Sequence, residues 1–202
     1  MSKRVYISAD YAPNDGDQVV IDELHTWGSD NKHKTDFIDT AQVVSGSVSD
    51  GDDCRYCDLK AEFNRQIKAS SAVIFIIGDK TASRTAGSGC QRNVKQWYEC
   101  TCTPYKQNNN GAKQCKAINT YTSTSDDVGN VNSYSYLRHE FEEAKKLGKP
   151  IIIVYNSLYN KDSWLPSYMR GYEDDAHPFW KHNTLGDIVG DYQFIKAALG
   201  YE

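Results

Sequence analysis

Ala72-Val73-Ile74-Phe75-Ile76-Ile77-Gly78 is the longest apolar run in the chain, and its reading decides the fold. It is apolar throughout instead of at alternate positions, which marks a strand covered on both faces at the centre of a parallel sheet. It is far too short for the ~20 residues that span a bilayer. Just upstream, Leu59, Phe63 and Ile67 recur every fourth residue, so a helix leads into the strand.

Further upstream, residues 36–44 read as a second strand, separated from that helix by the Gly/Ser/Asp-rich stretch 45–53, a loop. Val20, Ile21, Leu24 and Trp27 put one apolar face on a helix over 17–27, and residues 3–9 form the first strand. Downstream the pattern breaks. From Thr85 to Ser133 the chain is rich in Asn, Gly, Ser, Thr, Tyr and Cys, and 84–133 reads as an insertion, too long for an ordinary connection. A helix follows over Tyr136–Leu147, stopped by Gly148 and Pro150, and then a buried strand, Ile151–Tyr155. An irregular stretch surrounds Trp164-Leu165-Pro166, and a last helix is expected to carry Ile188, Tyr192, Ile195 and Leu199.

Strand–helix alternation predicts one α/β domain over 1–202, a flavodoxin-like parallel sheet of about five strands with helices on both faces and a long Cys-rich insertion before the third helix. In that order the first and third strands are neighbours at the switch point, and ligands bind outside their carboxyl ends. The loops concerned are Ser8-Ala9-Asp10-Tyr11 and Gly78-Asp79-Lys80-Thr81.

Composition narrows the function. The 202 residues are 39% hydrophobic and 25% charged, as in a folded chain, and the net charge of −4 argues against a general nucleic-acid or anionic-membrane binder. Met-Ser-Lys-Arg runs straight into the first strand without an apolar signal core, so a cytoplasmic protein with reduced thiols is expected. Cys54, Cys57, Cys90, Cys100, Cys102 and Cys115 lie mostly in polar stretches, unlike cysteines used as core filler. Ordinary loop thiols are one reading. A structural zinc site built on Cys54-x-x-Cys57 with two or more of the others is the alternative, although the spacings fit no standard finger.

The helix from Tyr136 carries three glutamates. At about 100° per residue, Leu137, Phe141 and Ala144 form its apolar stripe. Glu140 lies about 65° from the stripe's centre, and Glu142 and Glu143 about 130° away. Glu140 is thus expected at the border of the buried face, partly desolvated, where a carboxylate becomes chemically useful. The competing reading is a surface glutamate paired with a lysine. Five scattered histidines form no metal-binding pair, and there is no P-loop, no dinucleotide fingerprint and no nucleophile elbow. Asp10 follows the first strand as in receiver domains, but the acidic pair and the late lysine of a phosphoacceptor site are missing.

The ordered landmarks resemble a TIR domain of the stand-alone bacterial kind. They are Lys3-Arg4-Val5-Tyr6-Ile7-Ser8, Asp36-Phe37-Ile38-Asp39, the Leu59–Ile67 helix running into Ser70-Ser71-Ala72-Val73-Ile74-Phe75-Ile76-Ile77-Gly78, and Tyr136-x-x-x-Glu140 before Lys149-Pro150-Ile151-Ile152-Ile153-Val154. The resemblance covers about residues 3–83 and 134–157, and is greatest to the TIR proteins of Thoeris antiphage defence. It implies NAD as substrate, a catalytic Glu140 and a nucleotide product sensed by a partner effector. NAD-consuming TIR domains carry Trp-x-x-x-Glu on this helix, so Tyr136 is a departure. On this reading Ser8, Asp10, Tyr11, Asp79 and Tyr136 contact the substrate, and the product is linear ADP-ribose, a cyclic isomer or a conjugate. A non-catalytic TIR module that self-assembles, and a nucleoside deoxyribosyltransferase-like enzyme, are the competing functions.

Overall fold

The computed structural model describes residues 3–9, 17–30, 35–39, 63–78, 81–82, 135–158 and 164–201. The first strand, β1, is Lys3–Ser8, and helix α1 follows over Asp17–Ser29. Strand β2 is Thr35–Asp39, helical residues 63–69 form α2, and β3 is Ala72–Ile77. Helix α3 spans Tyr136–Lys146 and β4 spans Ile151–Tyr155. A 3-10 turn, Ser167–Met169, precedes the short strands β5 (Ala176–Pro178), β6 (Trp180–His182) and β7 (Ile188–Gly190). Helix α4, Tyr192–Ala198, is the last of these elements.

Strands β2, β1, β3 and β4 lie side by side in that order, all parallel, and β5 extends the edge next to β4. The register places Tyr6 between Ile38 and Val73, and Ser8 opposite Phe75. In a strand successive side chains point to opposite faces, and here that alternation separates two cores. Val5, Ile7, Ile74, Ile76, Ile152 and Val154 face α1 and α4, where they meet Leu24, Trp27 and Ile195. Tyr6, Val73, Phe75, Ile77 and Ile153 face α2 and α3, where they meet Phe63, Ile67, Leu137, Phe141 and Ala144. The unbroken apolar run of β3 follows directly, since all six of its residues are buried.

Helix α3 has both ends fixed. Ser135 is its N-cap and accepts the Arg138 amide at 3.0 Å, satisfying one of the donors a helix start leaves over. At the other end Gly148 adopts φ +61°, its amide reaches Lys145 O, and the Lys149 amide reaches Ala144 O. This pair of bonds is the Schellman ending, which favours glycine at the left-handed position. The expected stop at Gly148 and Pro150 is therefore where the helix ends.

The C-terminal third departs from expectation. Ile188 belongs to β7, which pairs antiparallel with β6, and the helix begins only at Tyr192. Its spacing to Tyr192 fits a helix by coincidence. The true boundary is Asp191, whose carboxylate accepts the Phe194 amide at 3.0 Å as the N-cap. Strand β1 stops at Ser8 and β2 at Asp39, so expected residue 9 is outside the first strand, while 40–44 lie outside the described residues. The insertion 84–133 lies there as well.

Candidate active site

Tyr6 and Ser8 share a strand face because they are two residues apart, and that face looks at α3. Glu140 sits a little over one turn into α3, in line with them. The Tyr6 hydroxyl donates to Glu140 Oε1 at 2.9 Å, and the Ser8 hydroxyl donates to Oε2. Each carboxylate oxygen thus receives its own hydroxyl. Tyr6 and Ser8 are fully buried, and Glu140 is 1% exposed. A buried carboxylate costs several kcal/mol unless its oxygens are hydrogen-bonded, and donors to a charged oxygen are the stronger kind of hydrogen bond.

This corrects the helical-wheel expectation in one respect. Glu140 is not at a half-wet border but inside, because the β1 surface opposite it is hydroxyl-bearing instead of purely apolar. The other two glutamates also separate. Glu142 is exposed, whereas the Glu143 side chain is only 12% exposed and lies 3.5 Å from Lys146.

The neighbouring residue braces the helix. His139 is 4% exposed, and its Nε2 is 2.6 Å from Asn64 Oδ1 on α2. Tyr136 is half-buried, with its ring edge-on to Phe63 at 5.5 Å. The structure therefore brings Ser8 and Glu140 together and places Tyr136 against α2. Asp10, Tyr11 and Asp79, and Cys54, Cys57, Cys90, Cys100, Cys102 and Cys115, lie outside the described residues.

Further buried polar side chains follow the carboxyl ends of the strands. Thr81 closes the turn after β3, accepting the Gly78 amide at 2.9 Å and donating its own amide to Gly78 O at 3.3 Å. Asn156, directly after β4, accepts the Leu158 amide at 3.2 Å. Asp17, in the first turn of α1, is 1% exposed and packs on Gly78, where an added Cβ would lie 2.6 Å from both carboxylate oxygens. Buried polar groups gathered at this edge fit the rule that open parallel sheets bind ligands outside the strands' carboxyl ends.

No protein family, curated protein or solved structure matched the chain on comparison. The functional reading therefore rests on the site itself. Among the described residues, no group of three or more His, Cys, Asp or Glu is placed to hold a metal ion, and no helix is long and apolar enough to cross a membrane.

Tyr6 is the residue that sequence reasoning missed. A tyrosine inside an apolar strand reads as core, and its ring does pack there. The signal was the position two residues before Ser8, which puts both hydroxyls on one face.

Proposed function

We propose that the protein cleaves NAD at the nicotinamide–ribose bond, as the TIR-like resemblance implies, with Glu140 stabilising the ribosyl cation. The observation that carries this reading is a buried carboxylate at the carboxyl end of β1 with one hydroxyl on each oxygen.

The chemistry suits a single carboxylate. Breaking the bond passes through an oxocarbenium-like state, as in glycoside hydrolysis. The bonding electron pair leaves with nicotinamide, which departs neutral, so no general acid is needed. The positive charge that grows on the ribose is met by the fixed negative charge of Glu140, an attraction strengthened where water is excluded. Water then attacks the anomeric carbon and loses a proton to solvent to give ADP-ribose, or the adenine of the same molecule attacks to give a cyclic isomer. Degree of water exclusion decides between them. The product would act as a nucleotide signal to an effector in antiphage defence.

The direct test is to incubate the purified protein with NAD and follow free nicotinamide. Its release supports the enzyme. Intact NAD beside a protein that self-associates supports the assembly module, and release of a base from a deoxynucleoside but not from NAD supports the deoxyribosyltransferase reading.

A further inference from the structure

The two hydroxyls on Glu140 are not equivalent. Tyr6 lies mid-strand, with neighbours in register on both sides, Ile38 of β2 and Val73 of β3. Ser8 is the last residue of β1, and β3 continues past its partner Phe75 to Ile77. Ser8 therefore stands nearer the carboxyl edge than Tyr6 by two residues, about 6.6 Å along a strand. The Glu140 carboxylate meets both hydroxyls, Oε1 toward Tyr6 and Oε2 toward Ser8. The tyrosine ring is packed in the core with Phe63, Phe75 and Phe141, and so cannot swing away easily. A serine hydroxyl at a strand end turns on a single bond.

We propose that Tyr6 is a positioning residue that fixes the Glu140 carboxylate through Oε1, while Ser8 is the exchangeable partner whose place on Oε2 a ribose hydroxyl takes when substrate binds. This rests on the NAD-cleaving reading of Glu140. It divides the work by oxygen: Oε1 sets the carboxylate's orientation, and Oε2 meets the substrate. The hydroxyl of Ser8, released from Oε2, is then free to donate to the ribose oxygen that replaced it. Neither residue changes its protonation state, and no bond is made to either.

The experiment compares kcat and KM for nicotinamide release from NAD by wild type, Tyr6→Phe and Ser8→Ala, with Glu140→Gln as reference and thermal melting as the check on folding. Tyr6→Phe keeps the ring and removes only the donor, so kcat should fall about tenfold or more, as for loss of a hydrogen bond to a charged group, with KM within about twofold. Ser8→Ala removes the hydroxyl that substrate displaces, so its effect should fall on KM, with kcat within about twofold. Should Tyr6→Phe fail to fold, Ser8→Ala still decides, because a kcat loss without a KM change there contradicts the exchange. Normal kcat in a folded Tyr6→Phe, with Glu140→Gln inactive, overturns the positioning role and leaves the NAD reading standing. A folded wild type that releases no nicotinamide overturns both.

Discussion

His139 Nε2 and Asn64 Oδ1 meet at 2.6 Å, joining α3 to α2 one residue before Glu140. His139 is 4% exposed and Asn64 half-buried, so water reaches this bond from one side only in part. It ties the helix that carries the carboxylate to its neighbour on the same face of the sheet, and the Ser135 cap and the Gly148 ending fix the same helix along its length. The carboxylate is thus set by three local devices before β1 supplies its hydroxyls.

Replacing Asn64 should leave the buried His139 without that bond, and replacing His139 should take the same bond from the half-buried Asn64. His139→Leu and Asn64→Leu are each expected to cost about 1–3 kcal/mol, and the double variant less than the sum, with a coupling of at least about 0.5 kcal/mol. Urea unfolding of the four proteins measures it. Strict additivity would mean that the two side chains do not depend on each other.

The close approach at Gly78 gives a second prediction. A Cβ there would collide with both oxygens of the buried Asp17 carboxylate. Gly78→Ala should therefore destabilise by about 1–3 kcal/mol, the usual cost of overpacking. Thermal melting gives the answer, and an unchanged midpoint would show that Asp17 can move aside at little cost.

Asp191 supplies a pH dependence. Burial opposes its charge, but the Lys181 ammonium, the Phe194 amide and His177 outweigh burial and hold its carboxyl below the ordinary 3.8. A carboxyl whose pKa is lower folded than unfolded adds stability at pH values above the unfolded value, and loses it as pH falls through the folded one. Wild type should therefore lose more stability than Asp191→Asn between pH 6 and about pH 3. Asparagine keeps the N-cap acceptor of α4 and removes only the charge. Parallel losses in the two proteins would count against the ion pair.

How much of this was legible beforehand depends on length of pattern. The run at β3 was legible because six consecutive residues are apolar, and the stripe Leu137, Phe141 and Ala144 because it recurs at helical spacing over about two turns. Ser8 and Glu140 were legible as candidates, one from its place at a strand end and the other from its angle on the helix. Strands β5, β6 and β7 were not, since three residues are too few to show a period of two. Pro178 also reads against a strand, and is tolerated here because β5 is at the sheet edge. The depth of Glu140 was hidden for another reason. Burial of a charged residue is decided by what a distant strand offers it, and Tyr6 is 134 positions away.

The six cysteines are open to direct chemistry. Reading Cys54, Cys57, Cys90, Cys100, Cys102 and Cys115 as a zinc site or as paired thiols predicts bound metal by elemental analysis, or a native thiol count well below the reduced, denatured one. Four or more freely titrating thiols without metal would rule out both.

The central claim is tested most directly by Glu140→Gln. The substitution keeps size and polarity, removes the charge and replaces one acceptor oxygen with a donor amide. Nicotinamide release from NAD should fall about 100-fold or more, as when an electrostatic stabiliser is removed from an active site, in a protein that still melts cooperatively. Glu142→Gln, at an exposed position on the same helix, is the matched control and should keep wild-type turnover. Wild-type release of nicotinamide by a folded Glu140→Gln protein would contradict the account.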